Sequence, residues 1–147
     1  MNLGIFLQDM AHREITEKCF ELANDAVGKY DDVSLFFQDI GPKPSKANFG
    51  MFNSTEIWHF KGELIVTFLD GLKLVNNIPN DQSVVYYFSL SNYNKDLFGL
   101  LENLTDRVTI IASDPVSYDY IKRVTGNKPI SVVGDLSKLT SIVRAEI

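Results

Sequence analysis

The sequence predicts an α/β fold, a three-layer sandwich in which about six mostly parallel strands carry helices on both faces. Short, nearly continuous apolar runs alternate along the chain with longer segments whose apolar residues recur at intervals of three and four. The first pattern is typical of strands buried on both faces, and the second of amphipathic helices. Their strict alternation favours a parallel sheet with crossover helices, which is a Rossmann-like arrangement. With 147 residues, the chain is expected to form a single domain over 1–147.

The strands are predicted from apolar runs that are rich in β-branched and aromatic residues. Their ranges are 3–7, 33–37, 64–68, 84–88, 108–112 and 130–133. The predicted helices cover 15–27, 54–60, 70–76, 97–104, 115–125 and 136–143. The stretch 39–52 contains several glycines and prolines and is expected to be a loop. Its part 41–50 is long enough to cover one edge of the sheet.

Polar residues and glycines mark the ends of these helices. The expected N-caps are Ser54, Asp70, Asp114 and Asp135. Glycines follow three of the predicted ends, at Gly28, Gly62 and Gly126. Trp58 and Cys19 are expected to face the core, and Leu97, Leu100, Leu101 and Leu104 mark the helix over 97–104.

The composition excludes several classes of protein. Fourteen Lys and Arg against nineteen Asp and Glu give a net charge of −5, which disfavours binding to nucleic acid or to an anionic membrane. A single cysteine excludes an intrachain disulfide framework. No apolar run approaches the roughly 20 residues of a membrane-spanning helix, and the first residues lack a basic signal region. We therefore expect a cytoplasmic protein without membrane contact.

Polar residues follow most of the predicted strands, and the carboxyl ends of parallel strands are where such sheets bind ligands. The predicted ligand-binding residues are Asp9, His12 and Arg13 after the first strand, with Ser89, Asn92, Ser113 and Asp114 on the opposite wall. His12 and Arg13 would bind an anion together with a helix N-terminus, or else lie exposed on the helix. Aspartates at helix starts are equally explained by capping.

Motifs for bound cofactors and for catalysis are missing. The turn after the first strand contains no glycine, which argues against a tightly bound NAD or FAD, and the chain lacks a P-loop and a GxSxG elbow. One cysteine and two histidines do not supply a recognisable zinc site. Asp9, Asp70 and Ser89 suggest a phosphorelay receiver, but no lysine follows the fifth strand, where Ser113 and Asp114 stand. We expect no cofactor, no metal and at most a degenerate receiver-like domain.

One segment resembles a known family. Residues 54–67 read STEIWHFKGELIVT, which resembles the passage WHFDG-x-LI-x-T of small glycosyltransferase-like proteins from large tailed phages. The order of predicted elements is similar to the N-terminal, acceptor-side domain of two-domain (GT-B) glycosyltransferases. The resemblance implies a sugar-nucleotide ligand and, for a phage protein, location in the host cytoplasm. GT-B enzymes react between two such domains, whereas only one is predicted here.

These observations favour a glycosyltransferase-like binding module without complete catalytic machinery. A protein partner or a homodimer would complete such a half-enzyme. The alternatives are a non-enzymatic phage or host interaction protein and the degenerate receiver-like domain.

Overall fold

The structure, a computed structural model, describes residues 2–9, 13–39, 46–78 and 83–139. The described strands form one sheet in which every pairing is parallel. They are β1 (Asn2–Asp9), β2 (Asp32–Asp39), β3 (Gly50–Asn53), β4 (Glu63–Val66), β5 (Ser83–Phe88), β6 (Val108–Ala112) and β7 (Ser131–Val132). The spatial order β3-β2-β1-β4-β5-β6-β7 reverses between β1 and β4, as in Rossmann-like folds. The predicted fold class is confirmed.

Helices cover both faces of this sheet. The α-helices are α1 (Arg13–Ala26), α2 (Leu69–Asn76), α3 (Leu97–Asn103) and α4 (Pro115–Thr125). Among the described residues, three 3₁₀ helices, called the first, second and third, span Ser54–His59, Leu90–Asn92 and Leu136–Lys138. One core joins α1 and the third 3₁₀ helix to the sheet, and the other joins α2, α3, α4 and the first 3₁₀ helix to the opposite face.

The two cores follow from the alternation of side chains along each strand. In β1, Leu3, Ile5 and Leu7 belong to the α1 side, whereas Phe6 packs on the opposite side. All four are buried. A strand with apolar residues on both faces needs packing partners on both faces of the sheet. The nearly continuous apolar runs therefore correctly indicated a central parallel sheet.

The stretch expected to be a loop contains a seventh strand. β3 is only four residues long and pairs with β2 at the edge of the sheet. Its Gly50 and Asn53 are poor strand formers, so its propensity is weak, and pairing with β2 decides its conformation. Residues 41–45 lie outside the described part of the chain. The sixth predicted strand is also shorter than expected, because only Ser131 and Val132 pair.

Two of the predicted N-caps are wrong. Asn53, not Ser54, caps the first 3₁₀ helix by accepting from the Thr55 amide at 3.1 Å. Asp70 lies in the first turn of α2, because the chain already turns into the helix after Phe68. The cap at Asp114 is confirmed by its bond from the Ser117 amide.

The remaining helix ends agree in part with the prediction. Gly28 and Gly126 follow α1 and α4 with φ of +90° and +76°, as predicted for helix stops. Asp135 precedes the third 3₁₀ helix and lies 3.6 Å from the Lys18 amine, while its capping role stays a prediction. Of the helix expected over 136–143, the part 140–143 lies outside the described residues.

Trp58 was expected in the core but lies on the surface, and two leucines of the predicted 97–104 helix are exposed as well. Trp58 is 51% exposed. The short first 3₁₀ helix repeats every three residues, so Ile57 and Phe60 point inward and Trp58 points away. Leu97 and Leu101 are 40% and 45% exposed, whereas Leu100 is fully buried. Cys19 is fully buried, as expected.

Candidate functional site

The carboxyl edge of the sheet brings part of the predicted site together. Ser89 follows β5, Asn92 ends the second 3₁₀ helix, and Ser113 and Asp114 follow β6. Asp9 ends β1 and Arg13 begins α1, but their side chains lie outside the described part of the structure. His12 lies outside the described residues altogether. The structure thus describes the Ser89–Asp114 wall of the predicted site and not the side chains of the other wall.

Asp114 and its neighbours hold the start of α4. Its carboxylate accepts from the Ser117 amide at 2.7 Å and from the Ser113 hydroxyl at 3.1 Å. The bond from the Ser117 backbone lowers the pKa of Asp114, so the cap is an ionised carboxylate at neutral pH. The Ser117 hydroxyl accepts from the Leu90 amide at 3.1 Å and thereby ties the second 3₁₀ helix to α4.

Asn92 also has a structural role. Its side-chain amide donates to the Thr67 carbonyl oxygen at 2.8 Å and ties the second 3₁₀ helix to the end of β4. Ser89 and Ser91 share a hydroxyl–hydroxyl bond of 2.8 Å at the surface. The polar groups of this wall therefore form hydrogen bonds with neighbouring ends of strands and helices. Their ligand-binding role stays a prediction.

A groove lies near the amino ends of β1 and β2, on the face covered by the first 3₁₀ helix. This feature, called the aromatic groove, has a volume of about 220 Å³. Its lining residues are Asn2, Asp32, Ser34, Phe36, Phe52, Glu56, His59, Phe60 and Lys61. Most of them come from β2 and from the segment 52–61, which includes the WHFK residues of the resemblance.

The floor and one wall of this groove are formed by side chains that alternate along β2 and by the pairing of β2 with β3. Asp32, Ser34 and Phe36 lie on the same face of β2 because side chains alternate. Phe52 stands beside Phe36 in register, with ring centroids 6.0 Å apart. Phe60 meets Phe36 edge-on at 5.5 Å. Phe36 and Phe60 are buried, whereas Phe52 is 42% exposed and offers a ring to a ligand.

Glycines allow the first 3₁₀ helix to approach the sheet this closely. A Cβ atom at Gly4 would lie 2.9 Å from the Phe60 ring, so β1 accommodates Phe60 only because residue 4 has no side chain. Gly62 turns the chain into β4 with φ of +141°, and its position directly faces the Asn2 carbonyl oxygen. Asn2 in turn donates to the Lys61 carbonyl oxygen at 3.3 Å.

The aromatic groove combines ring faces with charged and polar groups. Asp32 and Glu56 supply carboxylate acceptors, Lys61 supplies an ammonium donor, and His59 supplies an imidazole. All four residues are exposed, so a ligand can reach them from solvent. The arrangement suits recognition of a small ring that is apolar on its face and polar at its rim.

Sequence reasoning missed this groove because it examined only the carboxyl edge of the sheet. Phe52 and Glu56 lie 20 and 24 residues after Asp32 in the chain, and they meet it through strand pairing and the path of the first 3₁₀ helix. The signals in the sequence were the cluster of aromatic residues between Phe49 and Phe60 and the segment 54–67 of the resemblance.

Two further findings concern only the described residues. They contain no group of three or more His, Cys, Asp or Glu side chains arranged to hold a metal ion. None of the helices among them is long and apolar enough to cross a membrane.

Comparison with known proteins adds no relative. No protein-family model, no curated protein and no solved structure matches this chain.

Proposed function

We propose that this protein is a glycosyltransferase-like binding module that holds a saccharide unit in the aromatic groove. The observation that supports it is the lining of the groove, in which the exposed ring of Phe52 lies among carboxylate, imidazole and ammonium groups. Four of the lining residues come from the segment that resembles glycosyltransferase-like proteins, namely Glu56, His59, Phe60 and Lys61.

The chemistry of a sugar ring fits this lining. Its C–H face packs against an aromatic ring, and burying that face removes apolar surface from water. Its hydroxyl groups donate to Asp32 and Glu56 and accept from Lys61, because a hydroxyl does both. A volume of about 220 Å³ is smaller than the roughly 300–1,000 Å³ of drug-sized sites, which favours a single ring.

Charge favours a neutral sugar over an intact sugar nucleotide in this groove. Asp32 and Glu56 would repel a diphosphate, and Lys61 is the one lysine or arginine among the lining residues. A binding role without catalysis is also consistent with the carboxyl edge of the sheet. There, the side chains of Asp114 and Asn92 are engaged in capping a helix and in bridging two elements. The sugar nucleotide stays a prediction and forms the second part of the test.

A thermal-shift panel tests the proposal. Neutral monosaccharides and N-acetylated hexosamines form one arm, and UDP, GDP and their sugar derivatives form the other. A ligand present at ten times its dissociation constant adds about 1.4 kcal/mol to the free energy of unfolding, which raises the melting temperature by about 3–6 °C. We expect this rise with at least one neutral sugar.

Variants locate the binding site. Phe52→Ala and Glu56→Gln should abolish most of the rise, because they remove the ring platform and one acceptor. Phe98→Ala is the matched control, since Phe98 is an exposed phenylalanine far along the chain on α3 and outside the groove. Unchanged melting temperatures across all neutral sugars, or a rise that Phe52→Ala leaves intact, would contradict the proposal.

A further inference from the structure

A second cavity lies between α2 and α3, apart from the aromatic groove. This feature, called the α2–α3 crevice, has a volume of about 620 Å³. Lys73 and Asn76 line it from α2, and Phe98, Glu102 and Asn103 line it from α3. None of these residues takes part in the proposed saccharide site, so the crevice is a separate feature of the surface.

Acidic groups dominate the charge around this crevice. The Lys73 amine donates to the Asp96 carboxylate and lies 3.5 Å from Asp70. The hydrogen bond between Lys73 and Asp96 raises the pKa of Lys73 and lowers the pKa of Asp96, so both side chains stay ionised at neutral pH. Among the lining residues, the Asp96 and Glu102 carboxylates outnumber the Lys73 ammonium, so the lining carries a net negative charge. This local charge favours a cation.

An exposed aromatic ring lines the same crevice as the Asp96 and Glu102 carboxylates. Phe98 is 78% exposed, the largest value among the described large apolar side chains. Leu97 and Leu101, its neighbours on the same side of α3, are also exposed. An aromatic face next to a carboxylate attracts a cation through two effects, the ring quadrupole and direct charge attraction. The flanking leucines offer contacts to apolar residues.

A buried acceptor in the wall of the crevice has no donor. The Asn76 side-chain amide donates to the Asn103 carbonyl oxygen at 2.9 Å and to its side-chain oxygen at 3.1 Å. The Oδ1 atom of Asn76 is buried and has no hydrogen-bond partner among the described residues. Leaving such an acceptor unsatisfied is unfavourable. Because the atom is covered, a ligand donor reaches it only if the crevice wall shifts.

We propose that the α2–α3 crevice receives an arginine side chain from a basic partner protein, with apolar partner residues packing on Leu97 and Leu101. The planar guanidinium stacks on the Phe98 ring and donates to the Glu102 carboxylate. Arginine fits better than lysine, because its flat, weakly hydrated group stacks on a ring and donates in several directions at once. The inference is independent of the proposed saccharide site.

Nuclear magnetic resonance titration of the ¹⁵N-labelled protein tests this inference. The probe is the peptide acetyl-Leu-Arg-Leu-amide, compared with the same peptide carrying lysine or the neutral isostere citrulline. We expect saturable shifts of the Gly99 and Glu102 amides with the arginine peptide, weaker affinity with lysine and the weakest with citrulline. Phe98→Ala should weaken arginine binding by about two- to fivefold, the usual range for an exposed cation–π contact.

The controls separate a specific contact from general attraction to an acidic protein. Glu102→Gln combined with Phe98→Ala should weaken binding further than either change alone. Phe52→Ala, which removes an exposed ring outside the crevice, should leave the affinity unchanged. The spectra themselves report whether each variant is folded. Equal binding of the citrulline peptide, or shifts that Phe98→Ala leaves unaltered, would overturn the inference.

Discussion

Thr67 joins β4 to β1 through the carbonyl oxygen of Phe6. Its backbone amide donates to that oxygen at 3.2 Å, and its hydroxyl donates to the same oxygen at 2.8 Å. The Thr67 carbonyl oxygen then accepts from Asn92. These bonds lie where the strand order reverses, which is the usual ligand position in Rossmann-like folds. In this protein, internal hydrogen bonds link the strand ends at that position.

Thr67→Val should therefore destabilise the protein. The side chain is buried, and valine keeps its shape while removing the hydroxyl. We expect a loss of about 1 kcal/mol in the free energy of unfolding, the usual value of a buried hydrogen bond. Urea unfolding followed by circular dichroism measures it. Thr67→Ser is the control that keeps the hydroxyl, and a Thr67→Val protein as stable as the wild type would contradict the bridging role.

Replacing Gly62 should cost more than replacing Gly28. Both adopt positive φ, so alanine is strained at either position. A Cβ at Gly62 would in addition lie 2.5 Å from the Asn2 carbonyl oxygen, whereas nothing lies within 4 Å at Gly28. We expect Gly28→Ala to cost about 1 kcal/mol and Gly62→Ala clearly more, by thermal unfolding. Equal costs would show that the contact with Asn2 is unimportant.

The cap at Asp114 should stabilise the protein in a pH-dependent way. Its pKa is lower in the folded chain than in the unfolded chain, so its contribution is present above the unfolded value near pH 4. The contribution is lost as the pH falls through the folded value. Asp114→Ala should cost about 1 kcal/mol at neutral pH and less in acid.

Unfolding free energies at several pH values measure this effect. Asp114→Ser provides the comparison, because a hydroxyl accepts the Ser117 amide without carrying a charge. Its difference from Asp114→Ala should stay constant with pH. A penalty for Asp114→Ala that is the same in acid and at neutral pH would argue against an ionised cap.

Cys19 should be unreactive in the folded protein. It is the single cysteine, and complete burial raises the pKa of its thiol to about 12. Because the thiolate is the reactive form, modification by Ellman's reagent at mildly alkaline pH should require unfolding. One thiol per chain should react rapidly in denaturing urea. Rapid reaction of the native protein would show that the core around α1 opens readily.

The periodicity of the sequence predicted the sheet and most of the helices, because both depend on local patterns. β3 escaped prediction, since its four residues form a strand through pairing with β2 rather than by their own propensity. Trp58 was misplaced for a related reason. The expectation assumed that the largest apolar side chain is buried, but the three-residue repeat of the 3₁₀ helix turns Ile57 inward instead.

The candidate site was less predictable than the fold. Asp114 and Asn92 were correctly placed near the carboxyl edge, yet only coordinates reveal that their polar atoms cap a helix and bridge two elements. The aromatic groove forms when Phe52 and Glu56 meet Asp32 from a distant part of the chain. A sequence pattern among neighbouring residues gives no information about a contact between distant segments.

A ¹⁵N chemical-shift map of the protein with a neutral sugar that raises its melting temperature tests the proposed function most directly. We predict that the largest shifts fall on the amides of Asp32, Phe52, Glu56 and Lys61, and that Phe52→Ala removes them. Shifts concentrated instead at Ser89, Ser113 and Asp114 would place the ligand at the carboxyl edge and contradict the aromatic groove as the binding site.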